Sequence, residues 1–292
     1  PGGGYPLGSR MEHSRLPIRP CVDVGCLGGK LGSMEVLYGL HPVEEAIRSG
    51  SRQLDHVSVA RERRDERLER LIALCRTAGI RIALEPRDQL TRLARTDAHQ
   101  GVLAVVRERQ FLGVEDLLAP KAEGYQFFLA LDGVEDPHNL GALLRTADGA
   151  GVDGVILPER RSAPVTATVA KTSAGASEHV RIARVTNLVR SLEQMKQKHV
   201  WVLGLDERGT PDYTDFDFNT NCVLVLGREG AGLHDLVKKT CDHLLRIPMA
   251  GQVSSLNVSV AGAVVMYEAM RQRRQPAEPA QKTQKQRKGL GS

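Results

Sequence analysis

Short, almost unbroken hydrophobic runs recur through the C-terminal half of the chain: FFLALDG from Phe127, GVILP, VRIARV, WVLGLD from Trp201, CVLVL from Cys222, and a last apolar patch at Leu244, Leu245 and Ile247. Between them lie stretches with helical spacing, about Asn139 to Ala150, Val165 to Ser173, Leu188 to Lys198, and a final helix reaching Arg273. Strands apolar on both faces and alternating with helices predict a mostly parallel sheet covered on both sides. The fold class is therefore α/β.

Residues 34–108 repeat the alternation on a smaller scale. A helix begins near Pro42 and ends at Gly50, LDHVSVA is a strand, and Leu68, Leu71, Ile72 and Cys75 mark one helical face that stops at Gly79. IRIALE and GVLAVV are further strands, so this segment predicts a small α/β domain. RERRDERLER, from Arg61, predicts a solvated helix face with charges paired one turn apart; its excess of arginine also suits phosphate. Residues 109–125, with Gly113, Pro120 and Gly124, predict a linker or hinge before a domain at 126–273. Residues 1–33 are rich in Gly and Pro and predict a poorly ordered leader or expression extension. Arg10, Arg15 and Arg19 would suit a mitochondrial presequence, but the Gly and Pro content opposes an amphipathic helix. The tail, 274–292, is polar and predicts disorder.

Composition narrows the function classes. At 292 residues, with 41% hydrophobic and 26% charged positions, the length and composition suit about two ordinary domains. The formal charge of +5 suits a polyanionic partner. Only 4% of positions are aromatic, which argues against binding single-stranded RNA mainly by stacking. Cys21, Cys26, Cys75, Cys222 and Cys241 form no CxxC pair, so neither a zinc site nor a disulfide framework is legible, and a reducing cytoplasmic setting is expected. No apolar run is long enough to span a bilayer, so no membrane partner is expected.

Three loops carry the candidate chemistry, each following a strand, where open α/β sheets place their sites. The first holds Asp132, Asp136, Pro137, Asn139, Gly141 and Arg145; the second is LGREGAGL, Leu226 to Leu233; the third is IPMAGQVSSLNVSVA, Ile247 to Ala261. Taken singly, each could be a turn or a capped helix start. Glycines open backbone to a ligand, and Ser254, Ser255 and Asn257 offer hydrogen bonds at a helix start. No strand leads into GxGxxG, so a nucleotide-like cofactor must bind in another way.

Together the loops resemble the three motifs of the SpoU branch of the SPOUT RNA methyltransferases: DxxxDPxNxGxxxRT at Asp132 to Thr146, GxEGxGL at Gly227 to Leu233, and IPMxGxVxSLNVSxA at Ile247 to Ala261. Residues 34–108, opening with VLYGLHPVEEAI and closing with HQGVLAVV, are similar to the RNA-binding domain that precedes the methyltransferase in the family's bacterial 23S rRNA guanosine enzymes.

The resemblance implies a C-terminal trefoil knot, a homodimer formed through the knotted domain, S-adenosyl-L-methionine as cofactor, and methylation of a ribose 2'-hydroxyl of a guanosine in 23S rRNA. By position it implies cofactor contacts from Gly227, Gly230, Ile247, Met249 and Leu256, and no metal. Arg145 matches the family's catalytic arginine, beside Asn139 in the same motif. Arginine is a poor general base, so its expected task is to hold a phosphate and stabilise the developing alkoxide. Alternatively, Arg145 is a surface residue paired with Asp148. Glu229 is expected to orient the ribose, and Ser255 and Asn257 to fix the substrate end; His138 is set aside. Two rival functions share these motifs or this fold: a tRNA or antibiotic-resistance ribose methyltransferase, and a non-catalytic ribosome-assembly factor. The second would be expected to lose Asn139, Arg145, Glu229 or Asn257, all of which are present.

Overall fold

The computed structural model describes residues 33–274; the leader and the rest of the tail lie outside the described residues. In the C-terminal domain the elements follow in the order β5 (Phe127–Leu131), α5 (Pro137–Ala150), β6 (Gly154–Pro158), α6 (Ala167–Thr172), β7 (Ile182–Val185), α7 (Leu188–Gln197), β8 (Trp201–Leu205), β9 (Cys222–Leu226), α8 (Asp235–Thr240), β10 (His243–Leu245) and α9 (Val258–Arg274). The six strands form one parallel sheet in the order β10-β8-β9-β5-β6-β7.

The unbroken hydrophobic runs are explained by burial on both faces. Phe127, Leu129 and Leu131 of β5 enter the core shared with α5 and α9 residues, while Phe128 and Ala130 enter the opposite core, with α7 and Val237 of α8. Helix α5 starts where Asp136 accepts hydrogen bonds from the His138 and Asn139 amides, with Pro137 in the first turn, and ends at Gly151 in the left-handed region.

Two glycines let these helices approach their neighbours. A Cβ on Gly141 would lie 1.9 Å from the Thr172 hydroxyl of α6, and one on Gly262 of α9 would lie 2.7 Å from side-chain atoms of Leu143 and Leu226. After β8 the chain folds over β10: Thr210 bridges to Leu244, and Asp212 to Arg246.

The N-terminal domain runs β1 (Met34–Tyr38), α1 (Leu40–Ser49), β2 (Leu54–Ala60), α2 (Glu66–Thr77), β3 (Arg81–Glu85), α3 (Arg87–Ala94) and β4 (Val102–Arg107). Its sheet has the order β1-β4-β2-β3, with only β2 and β3 parallel. Strand β1 and helix α3 are additions to the elements read from the sequence. The arginine-rich run is not one helix face. Asp65 caps α2 by accepting from the Arg67 and Leu68 amides. Arg61 and Arg63 instead precede the helix and donate to the carbonyls of Leu84 and Gln100.

Residues 109–125 connect the domains, but they pack against the C-terminal one. Leu112 pairs with Ala183 beside β7, and the short helix α4 (Val114–Leu117) buries Val114 and Leu117 in the second core. The domains also share a buried ionic junction. Glu178, fully buried in its side chain, takes Arg52 Nε at 2.9 Å and Arg109 Nη2 at 2.8 Å, and Arg52 reaches Glu35 at 2.5 Å. Ala170 of α6 completes the N-terminal domain's core.

Candidate functional site

The carboxyl ends of β8 and β9 and the chain beyond β10 border one cavity of about 410 Å³. Its floor and walls are the glycine-rich loop 227–232, the segment after β8, and parts of residues 247–261. The loop closes on itself: Arg228 and Gly232 exchange backbone hydrogen bonds at 3.0 Å each. Gly227 is required by that closure, because a Cβ there would sit 2.3 Å from the Gly232 carbonyl carbon. Gly230 has φ +71° at the tip, a conformation that side chains rarely adopt.

Gly227, Gly230, Ile247, Met249 and Leu256 all line this cavity. So does Ser255, which the motif comparison had placed with Asn257 at the substrate end. Residues after β8 were not anticipated. Leu205, Asp206, Glu207 and Arg208 line the cavity too, as does Lys238 of α8. Lys238 donates to Asp206 at 2.7 Å. Burial pushes the Asp206 carboxyl up, but the hydrogen bonds from Lys238 and the Arg208 amide outweigh it and hold the group below the usual carboxylate range. WVLGLD, whose carboxyl-end acid becomes Asp206, offered the only sequence signal for this wall.

Asn257 ties the three motifs together. Its Nδ2 donates to Asn139 Oδ1 at 3.1 Å and to Glu229 Oε1. Its Oδ1 accepts from the Ser259 amide and hydroxyl, at 2.9 and 2.6 Å, at the start of α9. Asn139 is buried and Glu229 exposed, so the cluster has a fixed inner side and an open outer side. A second link joins the first two motifs. Asp132, 6% exposed, accepts from the His234 backbone amide at 2.7 Å and lies 2.8 Å from His234 Nδ1.

A second cavity, about 310 Å³, lies on the other side of Arg228 and Glu229, between the loop after β5 and Asn139. Arg145 lines neither cavity. It is exposed on α5 and makes no ion pair among the described residues, so the pairing with Asp148 is not formed. Gly149, one turn further along α5, faces Tyr267 of α9, and Tyr267 and Val260 are about half exposed. Among the described residues no group of three His, Cys, Asp or Glu could hold a metal ion, and no helix is long and apolar enough to cross a membrane.

The cavity fits an S-adenosylmethionine-sized ligand. Its volume lies within the ordinary range for small-molecule sites, and its walls combine apolar side chains with a bared backbone.

Comparison with known proteins gives the family. The SpoU rRNA Methylase family matches residues 126–267, and the RNA 2'-O ribose methyltransferase substrate binding family matches residues 36–112. The chain is 42% identical over 243 residues to the 23S rRNA (guanosine-2'-O-)-methyltransferase RlmB of Ralstonia nicotianae, covering 83% of this chain and 98% of the relative. It is 44% identical over 248 residues to the enzyme of that name from Pseudomonas aeruginosa, with coverage of 83% and 98%. The crystal structure of the SpoU methyltransferase AviRb from Streptomyces viridochromogenes in complex with the cofactor AdoMet superimposes with TM-score 0.69 at 26% identity, covering 82% of this chain and 90% of that one. With relatives this similar along nearly their whole length, the chain belongs to the SpoU family of RNA methyltransferases.

Proposed function

We propose that the chain transfers a methyl group from S-adenosyl-L-methionine to the ribose 2'-hydroxyl of a guanosine in 23S rRNA, as a cytoplasmic homodimer. The observation that carries the reading is the junction of the 410 Å³ cavity with the Asn139, Glu229 and Asn257 cluster, built from three loops that meet only in the fold. The relatives' names supply the RNA and the base.

When bound, S-adenosylmethionine supplies an electrophilic methyl whose leaving group is a neutral thioether. The protein's task is then to align the hydroxyl and stabilise the charge that develops on it. Asn257 fixes one oxygen of Glu229; the other makes no hydrogen bond among the described residues and is available to accept from a ribose hydroxyl. Gly227 and Gly230 shape the loop that would carry the cofactor, and Ile247, Met249 and Leu256 supply apolar wall, with Ser255 beside them.

Arg145 is the motif's cation, yet its own protomer leaves it outside both cavities. The exposed face it shares with Tyr267 and Val260 suits a second copy of the chain, which would carry Arg145 to the partner's site. There its planar fork would grip a phosphate and face the nascent alkoxide. The N-terminal domain would hold the rRNA.

Calorimetry with S-adenosylmethionine, followed by mass spectrometry of a 23S rRNA transcript incubated with protein and cofactor, tests the reading. A saturable cofactor heat and a single ribose-methylated guanosine are expected. RNA binding without cofactor heat would mark an assembly factor, and a methyl found only on tRNA would move the enzyme to another substrate.

A further inference from the structure

We propose that the second cavity seats the target nucleobase, and that Glu135 and Arg228 read it as guanine. The inference rests on the methyltransferase reading above and adds the residues that select the base.

The cavity is bounded by residues 133–136 on one side and by Arg228 and Glu229 on the other, with Asn139 and Val258 between them. Most of its polar groups are already engaged. Asp136 caps α5, and Asn139 and Glu229 each accept from Asn257. Two are not. Glu135 is exposed and makes no hydrogen bond or ion pair among the described residues, and Arg228 Nε is buried with no partner. The rest of the Arg228 fork also makes no hydrogen bond or ion pair among the described residues, and Arg228 lines the cavity, so the fork is free to take a partner there.

The stem of Arg228 is held in place. Its Cγ and Cδ lie 2.6 and 2.9 Å from where a Cβ on Gly133 would stand, and Gly133, at φ +83°, has no side chain to push them away. An arginine packed along the backbone presents its fork in a set direction.

A free carboxylate and a free guanidinium across one small cavity match guanine. One edge of guanine places two acceptors side by side, O6 and N7, which is the pattern a guanidinium reads. Another places two donors side by side, N1–H and the 2-amino group, which is the pattern a carboxylate reads. Adenine would turn the N1 lone pair towards Glu135, and the pyrimidines lack N7. The volume is large enough to admit a single base taken out of its stack. A base seated here would bring its ribose to the wall shared with Glu229 and the larger cavity, where the methyl must arrive.

The test uses the full chain, S-adenosylmethionine, and 23S rRNA fragments carrying guanosine, inosine or 7-deazaguanosine at the methylated position. Inosine lacks the 2-amino group, and 7-deazaguanosine lacks N7. Wild-type kcat/KM should fall on the order of tenfold or more with each analogue, because a site built to hydrogen-bond a group rejects its absence. In Glu135→Gln the guanosine-to-inosine ratio should shrink towards one, with discrimination against 7-deazaguanosine retained. Arg228→Lys should show the converse, and Glu135→Gln, at a residue that lines only the smaller cavity, should bind cofactor as wild type does.

An unchanged guanosine-to-inosine ratio in Glu135→Gln, or an unchanged guanosine-to-7-deazaguanosine ratio in Arg228→Lys, overturns the proposal while leaving the methyltransferase reading intact. Loss of cofactor affinity in Glu135→Gln assigns that residue to the other cavity and overturns the proposal as well. Failure of the wild type to methylate the guanosine fragment overturns both readings together.

Discussion

On the proposed reading, Asn257 serves stability and chemistry through different atoms. Its Oδ1 caps α9, and its Nδ2 holds Glu229 and Asn139. The two tasks separate by substitution. Asn257→Ser keeps a good capping oxygen and loses the amide donor, so stability should stay near wild type; Asn257→Ala loses both and should cost about 1 kcal/mol. Single-turnover methylation should fall by roughly 10- to 100-fold in both, as expected when a positioned group drifts by about an ångström. A serine variant with wild-type turnover would reduce the Nδ2 contacts to packing. The residue types at this site were legible in the sequence because Asn139, Glu229 and Asn257 each stand in a dense motif. Their mutual hydrogen bonds were not, since 28 residues separate Asn257 from Glu229 and 118 separate it from Asn139. Nor was the placement of Arg145 outside both cavities, because a motif fixes a position along a helix and not which molecule that helix faces.

At the scale of elements, what could be read were segments whose pattern is local and strong. Strands β5 and β9 are hydrophobic without interruption because both faces are buried, and a run such as CVLVL has few other readings. Strand β1 and helix α3 escaped notice because their patterns are broken: β1 is buried only at its end, and α3 buries only Leu90. The wall after β8 was missed for a different reason, namely that β10 lies beside β8 and not beside β9, so residues distant in sequence share one rim. The first motif's glycine also changes meaning in the fold. Gly141 contacts no cavity; it is the point where α6 packs onto α5. Gly141→Ala should therefore destabilise the domain by about 1–3 kcal/mol through overpacking, with the native cofactor loop unchanged. Thr172→Ala removes the hydroxyl, the nearest atom that the new methyl would meet, and leaves the Thr172 Cβ at 2.6 Å, so the double variant should regain part of the loss in thermal unfolding. Strict additivity of the two changes would show that the close approach is not the cause.

The whole molecule is held in register by Glu178 and completed, on the reading above, by a second copy. Glu178 receives Arg52 from the N-terminal domain and Arg109 from the connecting segment, all three largely buried, so the segment read as a hinge is anchored where it begins. Removing one member of a buried ionic group leaves the others uncompensated, which typically costs about 3–5 kcal/mol. Glu178→Ala should accordingly loosen the N-terminal domain, seen as faster hydrogen exchange in α1 and β1, while cofactor affinity holds because neither cavity lies near it. Protection equal to wild type would mean that the apolar contact around Ala170 alone fixes the domains. The dimer is tested by asking which protomer supplies Arg145. Arg145→Ala and Asn257→Ser each place a defect in every site of their own homodimer, and neither should transfer methyl efficiently. If each site takes Arg145 from one protomer and Asn257 from the other, a mixed dimer holds one site with both defects and one with none. Random re-pairing of equal amounts makes half the dimers mixed, so activity should recover to about a quarter of wild type. If each site draws both residues from a single protomer, every site in every dimer carries one defect and mixing restores nothing. A quarter of wild-type turnover after co-refolding, well above the residual activity of either parent, would establish that the exposed face of α5 and α9 is where two copies meet and that the site is shared between them.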